Sequence, residues 1–179
     1  MDEDRTASFE ALYAATFNHI LGYALRRCDC PEDAADVVAE TFAITWRRME
    51  AVPPGDQAKL WLYGVARNVL ANHRRGLARR QGLSAALAAE VSELYERSAE
   101  DSADDSTIGR VFRALPDGDR ELLSLVAWEG LDHGEVATVL GCSRNAVRIR
   151  LHRARRRLAR ELATAGVPAG WPALSGRSQ

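Results

Sequence analysis

Cysteine is scarce: Cys28, Cys30 and Cys142 are the only three in 179 residues. That number and spacing exclude a disulfide framework, and they exclude a structural zinc site, which needs four ligands in paired spacing. The thiols read as the semi-buried side chains of a cytosolic chain. Histidine is as thin, with His19, His73, His133 and His152 each standing alone. No paired carboxylates, metal-ligand cluster or phosphate-cradling glycine loop accompanies them, so neither catalysis nor a metal or other cofactor is expected. Long apolar runs are missing too. The opening residues, MDEDRTASFE, are acidic where a signal peptide would be apolar, and no stretch approaches membrane-spanning length. A cytoplasmic protein without membrane insertion is expected. Strand-like alternation is absent throughout, which leaves an all-α fold.

What is present is charge, unevenly distributed. The formal net charge of −1 hides a segregation along the chain. Arg47, Arg48, Lys59, Arg67, Arg74, Arg75, Arg79 and Arg80 make the middle basic, the run from Ser143 makes the end basic, and Glu90 to Asp105 is acidic. Two basic blocks separated by an acidic span point to two nucleic-acid contacts on two small helical domains joined by a flexible linker.

The first half reads as three helices. One covers about Ala7 to Arg27, with Phe9, Leu12, Tyr13, Phe17, Ile20 and Leu21 inward. A second starts at Pro31, a good first-turn residue followed by Glu32 and Asp33 at the positive end of the helix dipole, and runs to about Met49. Its core stripe is Val38, Phe42, Trp46 and Met49, while Asp36, Glu40 and Arg47 line another side. After the breaker Val52-Pro53-Pro54-Gly55-Asp56, a third helix covers about Ala58 to Gly76 and buries Trp61, Leu62, Val65, Ala66 and Val69. Asn68, Asn72, Arg75 and Arg79 fall on another strip of it, a candidate nucleic-acid surface.

The second half opens at the turn Leu115-Pro116-Asp117-Gly118. A helix then runs to Trp128, burying Leu122, Leu123, Val126 and Ala127, and Gly130 stops it. From Leu131 to Arg160 the chain spells a helix-turn-helix. Asp132 and Glu135 form a capping box, Val136, Ala137, Val139 and Leu140 supply an apolar stripe, and Gly141 ends the helix in the left-handed conformation. Ser143 caps the next helix, whose buried face is Val147, Leu151, Ala154 and Leu158. Arg144, Asn145, Arg148, Ile149, His152 and Arg153 fall largely outside that face, with no acid between Ser143 and Arg160. Arginine can bond guanine bidentately, asparagine can read adenine, and an exposed isoleucine can meet a thymine methyl. Ile149 has a second reading, tucked against the preceding helix.

With both halves in view, the chain resembles the sigma-70 family of bacterial transcription initiation factors, of the small extracytoplasmic-function (group 4) type. The resemblance spans Phe9 to Leu162. DAADVVAETFAITWRR is similar to the polymerase-binding helix of region 2, and WLYGVARNVLANHRR to the helix that engages the minus-10 element. The segment from Ala114 to Leu158, ALPDGDRELLSL through LHRARRRL, is similar to region 4, which reads the minus-35 element. The resemblance implies domains at 7–80 (region 2) and 109–163 (region 4), with an acidic linker at 81–108 and a disordered tail at 164–179. It implies binding to RNA polymerase core, at the clamp of the largest subunit and the flap of the second-largest, to promoter DNA, and to an anti-sigma factor. Polymerase contacts are expected at Asp36, Glu40 and Arg47. DNA contacts are expected at Arg67, Asn68, Asn72, Arg74 and Arg75, and at Ser143, Arg144, Asn145, Arg148, Ile149, His152 and Arg153. The loop from Pro53 to Lys59 matches the one that captures a flipped minus-10 base. The chain departs from the family where an acid is common at Asn72, and where Asn145 to Arg150 replaces a Gly-Thr-Val-Lys-Ser-Arg run. Its DNA-facing chemistry is therefore its own. A free-standing helix-turn-helix regulator is the alternative, and it leaves the first half unexplained.

Overall fold

The computed structural model describes residues 2–28, 30–88 and 107–167, with side chains placed for 4–28, 30–76 and 107–167. The acidic span Glu90 to Asp105, the side chains of Arg79 and Arg80, and the tail from Pro168 lie outside the described residues. Every regular element among the described residues is helical, and the chain divides into two units, Met1–Ala99 and Glu100–Gln179.

In the first unit α1 (Asp2–Leu25), α2 (Pro31–Arg47) and α3 (Gln57–Ala88) pack on one another. Pro31 opens α2 as expected, with Cys30 as N-cap: its Sγ accepts the Asp33 backbone N–H at 3.5 Å. The helix stops at Arg47, before the expected Met49, and a single 3-10 turn (Met49–Ala51) tightens the exit. The core comes from Ile20, Tyr23 and Ala24 of α1, from Ala34, Val37, Val38 and Phe42 of α2, and from Leu60, Leu62, Tyr63, Ala66, Val69 and Leu70 of α3. Thr41 and Thr45 are buried as well, each returning its hydroxyl to the carbonyl four residues back, which satisfies it inside the core.

Several residues expected in the core, Val65 among them, are only partly covered. Tyr13 is 39% exposed. Phe9, Tyr13 and Phe17 lie on a flank of α1 against Phe42 and Trp46 of α2, so their rings cluster at the edge of the bundle while the period through Ile20, Tyr23 and Ala24 takes its centre. Trp61, placed in the core by its phase, is half-buried, and its neighbours Leu60 and Leu62 are the buried ones. In addition, α3 continues past Gly76 to Ala88, into the expected linker.

The second unit holds α4 (Thr107–Ala114), α5 (Asp117–Ala127), α6 (His133–Leu140) and α7 (Arg144–Thr164). Ile108, Val111, Phe112 and Leu115 recur at i, i+3, i+4 and i+7, the signal for α4 that the sequence reading passed over. The middle of α5 is enclosed on all sides, so Leu122, Leu123, Ser124 and Leu125 are buried together. Its last turn emerges from the bundle. Val126 is therefore half-buried and Ala127 exposed, against expectation. α7 ends in a Schellman motif: Val167 N–H donates to the Leu162 carbonyl at 3.0 Å and Gly166 N–H to Ala163 at 3.1 Å, with Gly166 at φ +77. Described backbone thus extends to Val167, past the start of the expected tail at 164.

Candidate nucleic-acid interface

The helix-turn-helix is built by three backbone devices. At the start of α6, Asp132 Oδ1 accepts N–H bonds from Gly134 at 2.5 Å and Glu135 at 2.9 Å, and Glu135 Oε2 accepts the Asp132 N–H at 2.8 Å. The Glu135 and Gly134 N–H groups hold the Asp132 carboxyl below its ordinary value. At the other end Gly141 takes φ +62, and Cys142 N–H reaches back to the Ala137 carbonyl at 3.0 Å. One residue later Ser143 Oγ accepts the Ala146 N–H at 3.1 Å and starts α7. Val147, Leu151 and Ala154 are buried, which seats α7 against α4, α5 and α6 and fixes which side faces out.

The outward side matches the expectation residue for residue. Ser143, Arg144, Asn145, Arg148, Ile149, His152 and Arg153 are all exposed. Ile149 is 41% exposed, so it is not tucked away against the preceding helix. With Arg148, His152 and Arg153 it lines a shallow depression on the surface of α7. Asn145 Oδ1 accepts from Arg148 twice, from Nη2 at 3.0 Å and Nε at 3.3 Å. Further along, Arg157 is engaged by Asp119 of α5 and Arg155 is half-buried, leaving Arg156 exposed.

On the first unit Arg67, Asn68, Asn72, Arg74 and Arg75 are exposed along α3. Arg75 donates to Asn72 Oδ1, and Arg74 Nη2 donates to the Arg27 carbonyl at 3.0 Å, which ties it to the end of α1. Asp36, Glu40 and Arg47 are exposed on α2, as expected from their phase. Glu40 and Arg47 form an ion pair at 2.8 Å, so Asp36 supplies the unbalanced charge of that face. His73 Nε2 lies 3.4 Å from Asp33 Oδ1, a link between α3 and α2 that sequence reasoning did not anticipate.

The three cysteines form no disulfide among the described residues and are half-buried. The Asp33 N–H on its sulfur favours the Cys30 thiolate, but desolvation and the Asp33 and Glu32 carboxyls outweigh it and raise the thiol above its ordinary value. A raised thiol is a poor nucleophile at neutral pH.

Comparison with known proteins accounts for both units. The sigma-70 region 2 family matches residues 12–80, and the sigma-70 region 4 family matches residues 106–158. The extracytoplasmic-function sigma factor SigL of Mycobacterium tuberculosis is 30% identical over 168 residues, covering 90% of this chain and 92% of its own. This chain belongs to the sigma-70 family. The RNA polymerase sigma-H factor of Pseudomonas aeruginosa is 29% identical over 160 residues, covering 83% of this chain and 82% of its own. Among solved structures, the sigma factor RpoE in complex with the anti-sigma factor NepR from Bartonella quintana superposes with a TM-score of 0.66 at 21% identity, covering 87% of this chain and 97% of that one. CnrH in complex with the cytosolic domain of CnrY gives 0.63 at 25%, covering 89% and 90%. The protein is thus a sigma factor of the extracytoplasmic-function type, acting in transcription initiation. The region 2 match explains the half of the chain that a free-standing regulator would leave without a role.

Proposed function

We propose that this sigma factor binds RNA polymerase core through the exposed face of Asp36, Glu40 and Arg47, directs it to a two-element promoter and assists melting. Arg67, Asn68, Asn72, Arg74 and Arg75 of α3 meet the minus-10 element. Ser143, Arg144, Asn145, Arg148, Ile149, His152 and Arg153 of α7 meet the minus-35 element. The division of labour follows the chain: 7–80 for polymerase and minus-10, 81–108 as connector, 109–163 for minus-35 and the polymerase flap, and 164–179 as tail. Bond-making belongs to the polymerase, and the sigma factor contributes binding and positioning in the cytoplasm. Among the described residues no helix is long and apolar enough to cross a membrane. The relative CnrH was solved in complex with the cytosolic domain of CnrY, and by analogy an anti-sigma protein holds this chain until it is needed.

The observation that carries the reading is the outward side of α7, where six cations or hydrogen-bonding groups accompany one exposed isoleucine with no acid among them. Run-off transcription with bacterial core polymerase on a promoter library tests it. Transcripts that depend on the chain and share one minus-10 and minus-35 pair are expected. A chain that binds duplex sequence-specifically without core, and starts no transcript with it, would instead be a stand-alone regulator.

A further inference from the structure

We propose that Asn145 is a positioning residue for Arg148 and does not itself read a base; this rests on α7 being the DNA-contacting helix. An asparagine that reads adenine uses both ends of its amide, the oxygen accepting from N6 and the nitrogen donating to N7. The Asn145 oxygen is already taken by Arg148, from Nη2 at 3.0 Å and Nε at 3.3 Å. Their separation of three residues places both side chains on one helix face, so the contact is compatible with the groove-facing side.

The pairing leaves Arg148 equipped for guanine. A guanidinium carries five N–H donors in a rigid plane. Asn145 holds the edge formed by Nε and Nη2, and the other edge, formed by Nη1 and the second Nη2 hydrogen, is the fork left for guanine O6 and N7. Holding the side chain in advance lowers the entropy lost when it docks. The choice of partner matters as much as the contact. Arg157 is engaged by the Asp119 carboxylate and Arg47 by Glu40, and each loses net charge in the exchange. An amide holds the guanidinium without neutralising it and without repelling phosphate. The same device recurs on the other unit, where Arg75 donates to Asn72 Oδ1 across the same three-residue step of α3. Both surfaces assigned to DNA therefore carry an asparagine-buttressed arginine.

The test uses the full chain with core polymerase, on the promoter recovered by run-off selection, with duplexes varied across the minus-35 element in competition titrations. R148A identifies the guanine that Arg148 reads, and 7-deazaguanine there confirms loss of the N7 acceptor. N145A is expected to lower the preference for that guanine about threefold to tenfold, and to change nothing further in an R148A background. N145D retains an oxygen acceptor, so it should keep the guanine preference while weakening all sequences alike. The proposal is overturned if N145A instead removes an adenine preference at another position, or costs as much without Arg148 as with it. If the wild-type holoenzyme shows no base preference across the minus-35 element, the assignment of α7 fails and takes this proposal with it.

Discussion

Replacing Asp132 by alanine removes the acceptor that starts the first helix of the helix-turn-helix. The Gly134 and Glu135 N–H groups lose the carboxylate oxygen that accepts them, while Glu135 keeps its own bond to the residue 132 N–H. A cap of this kind contributes about 1 kcal/mol, and up to about 2. Two N–H groups lose their acceptor at once, which places this one toward the upper part of that range. In a helical unit of this size each kcal/mol moves the unfolding midpoint by about 4–8 °C. The pH dependence has a definite sign. The Glu135 and Gly134 N–H bonds lower the Asp132 carboxyl below its ordinary 3.8. A folded-state value below the unfolded one means that the contribution is complete above the unfolded value and drains away as pH falls through the folded one. Thermal scans of the full chain should therefore show the second unit of Asp132→Ala melting lower at pH 7, with the gap narrowing below about pH 4. Asp132→Asn caps without titrating, so it should stay near wild type at pH 7 and lack the acid-dependent part. Equal midpoints for wild type and Asp132→Ala at pH 7, or a gap that persists unchanged into acid, would refute the argument.

Asp36→Arg combined with Glu40→Arg should abolish pull-down of core polymerase while circular dichroism stays unchanged, because both side chains are exposed; a folded double variant that still binds core removes that face from the polymerase contact. Arg156→Ala should weaken all promoter sequences alike and reduce the slope of log affinity against log salt by about one, as for a lost phosphate contact. A base-specific loss there would place the reading face one turn too early. Leu151 is 2% exposed at the centre of the α7 packing face, and Leu151→Ala should cost about 2–5 kcal/mol of stability in the second unit by chemical denaturation. A cost under 1 kcal/mol would mean that α7 is not anchored there.

Local chemistry was legible where it is short-range. The Asp132 and Glu135 box, the Gly141 turn, the Ser143 cap and the Pro31 start each depend on residues within one helical turn, and all stand as the sequence predicts. The outward side of α7 was legible for the same reason, since Val147, Leu151 and Ala154 fix its phase without reference to distant residues. What failed depends on neighbours in space. Tyr13 and Trp61 have the right period for burial, but a helix in a three-helix bundle is covered only where another helix reaches, and neither α1 at Tyr13 nor α3 at Trp61 is fully covered. Val126 and Ala127 are less buried than their expected places because α5 is enclosed at mid-length and open at its end. The α4 helix was missed through length: eight residues offer a single apolar repeat, and the polar stretch before it hides the start.

Partner contacts between side chains were the least legible feature, and they bear most on function. By composition the segment from Arg144 to Arg160 offers a uniform row of arginines. In the folded unit the row divides. Arg157 is engaged by Asp119, Arg155 is half-buried, Arg148 is held by Asn145, and Arg144, Arg150, Arg153, Arg156 and Arg160 are exposed. Salt dependence of promoter binding follows only the cations that displace counterions from phosphate, so it should be shallower than the number of arginines suggests. Base preference follows those that are aimed, and an arginine is aimed by whatever holds it. Asn145 and Asn72 do so without cancelling charge, whereas an acid at either position would trade attraction to the phosphate backbone for order. On the proposed assignment of α3 to the minus-10 element, Asn72→Asp should weaken minus-10 duplex binding, most at low salt, where screening is least.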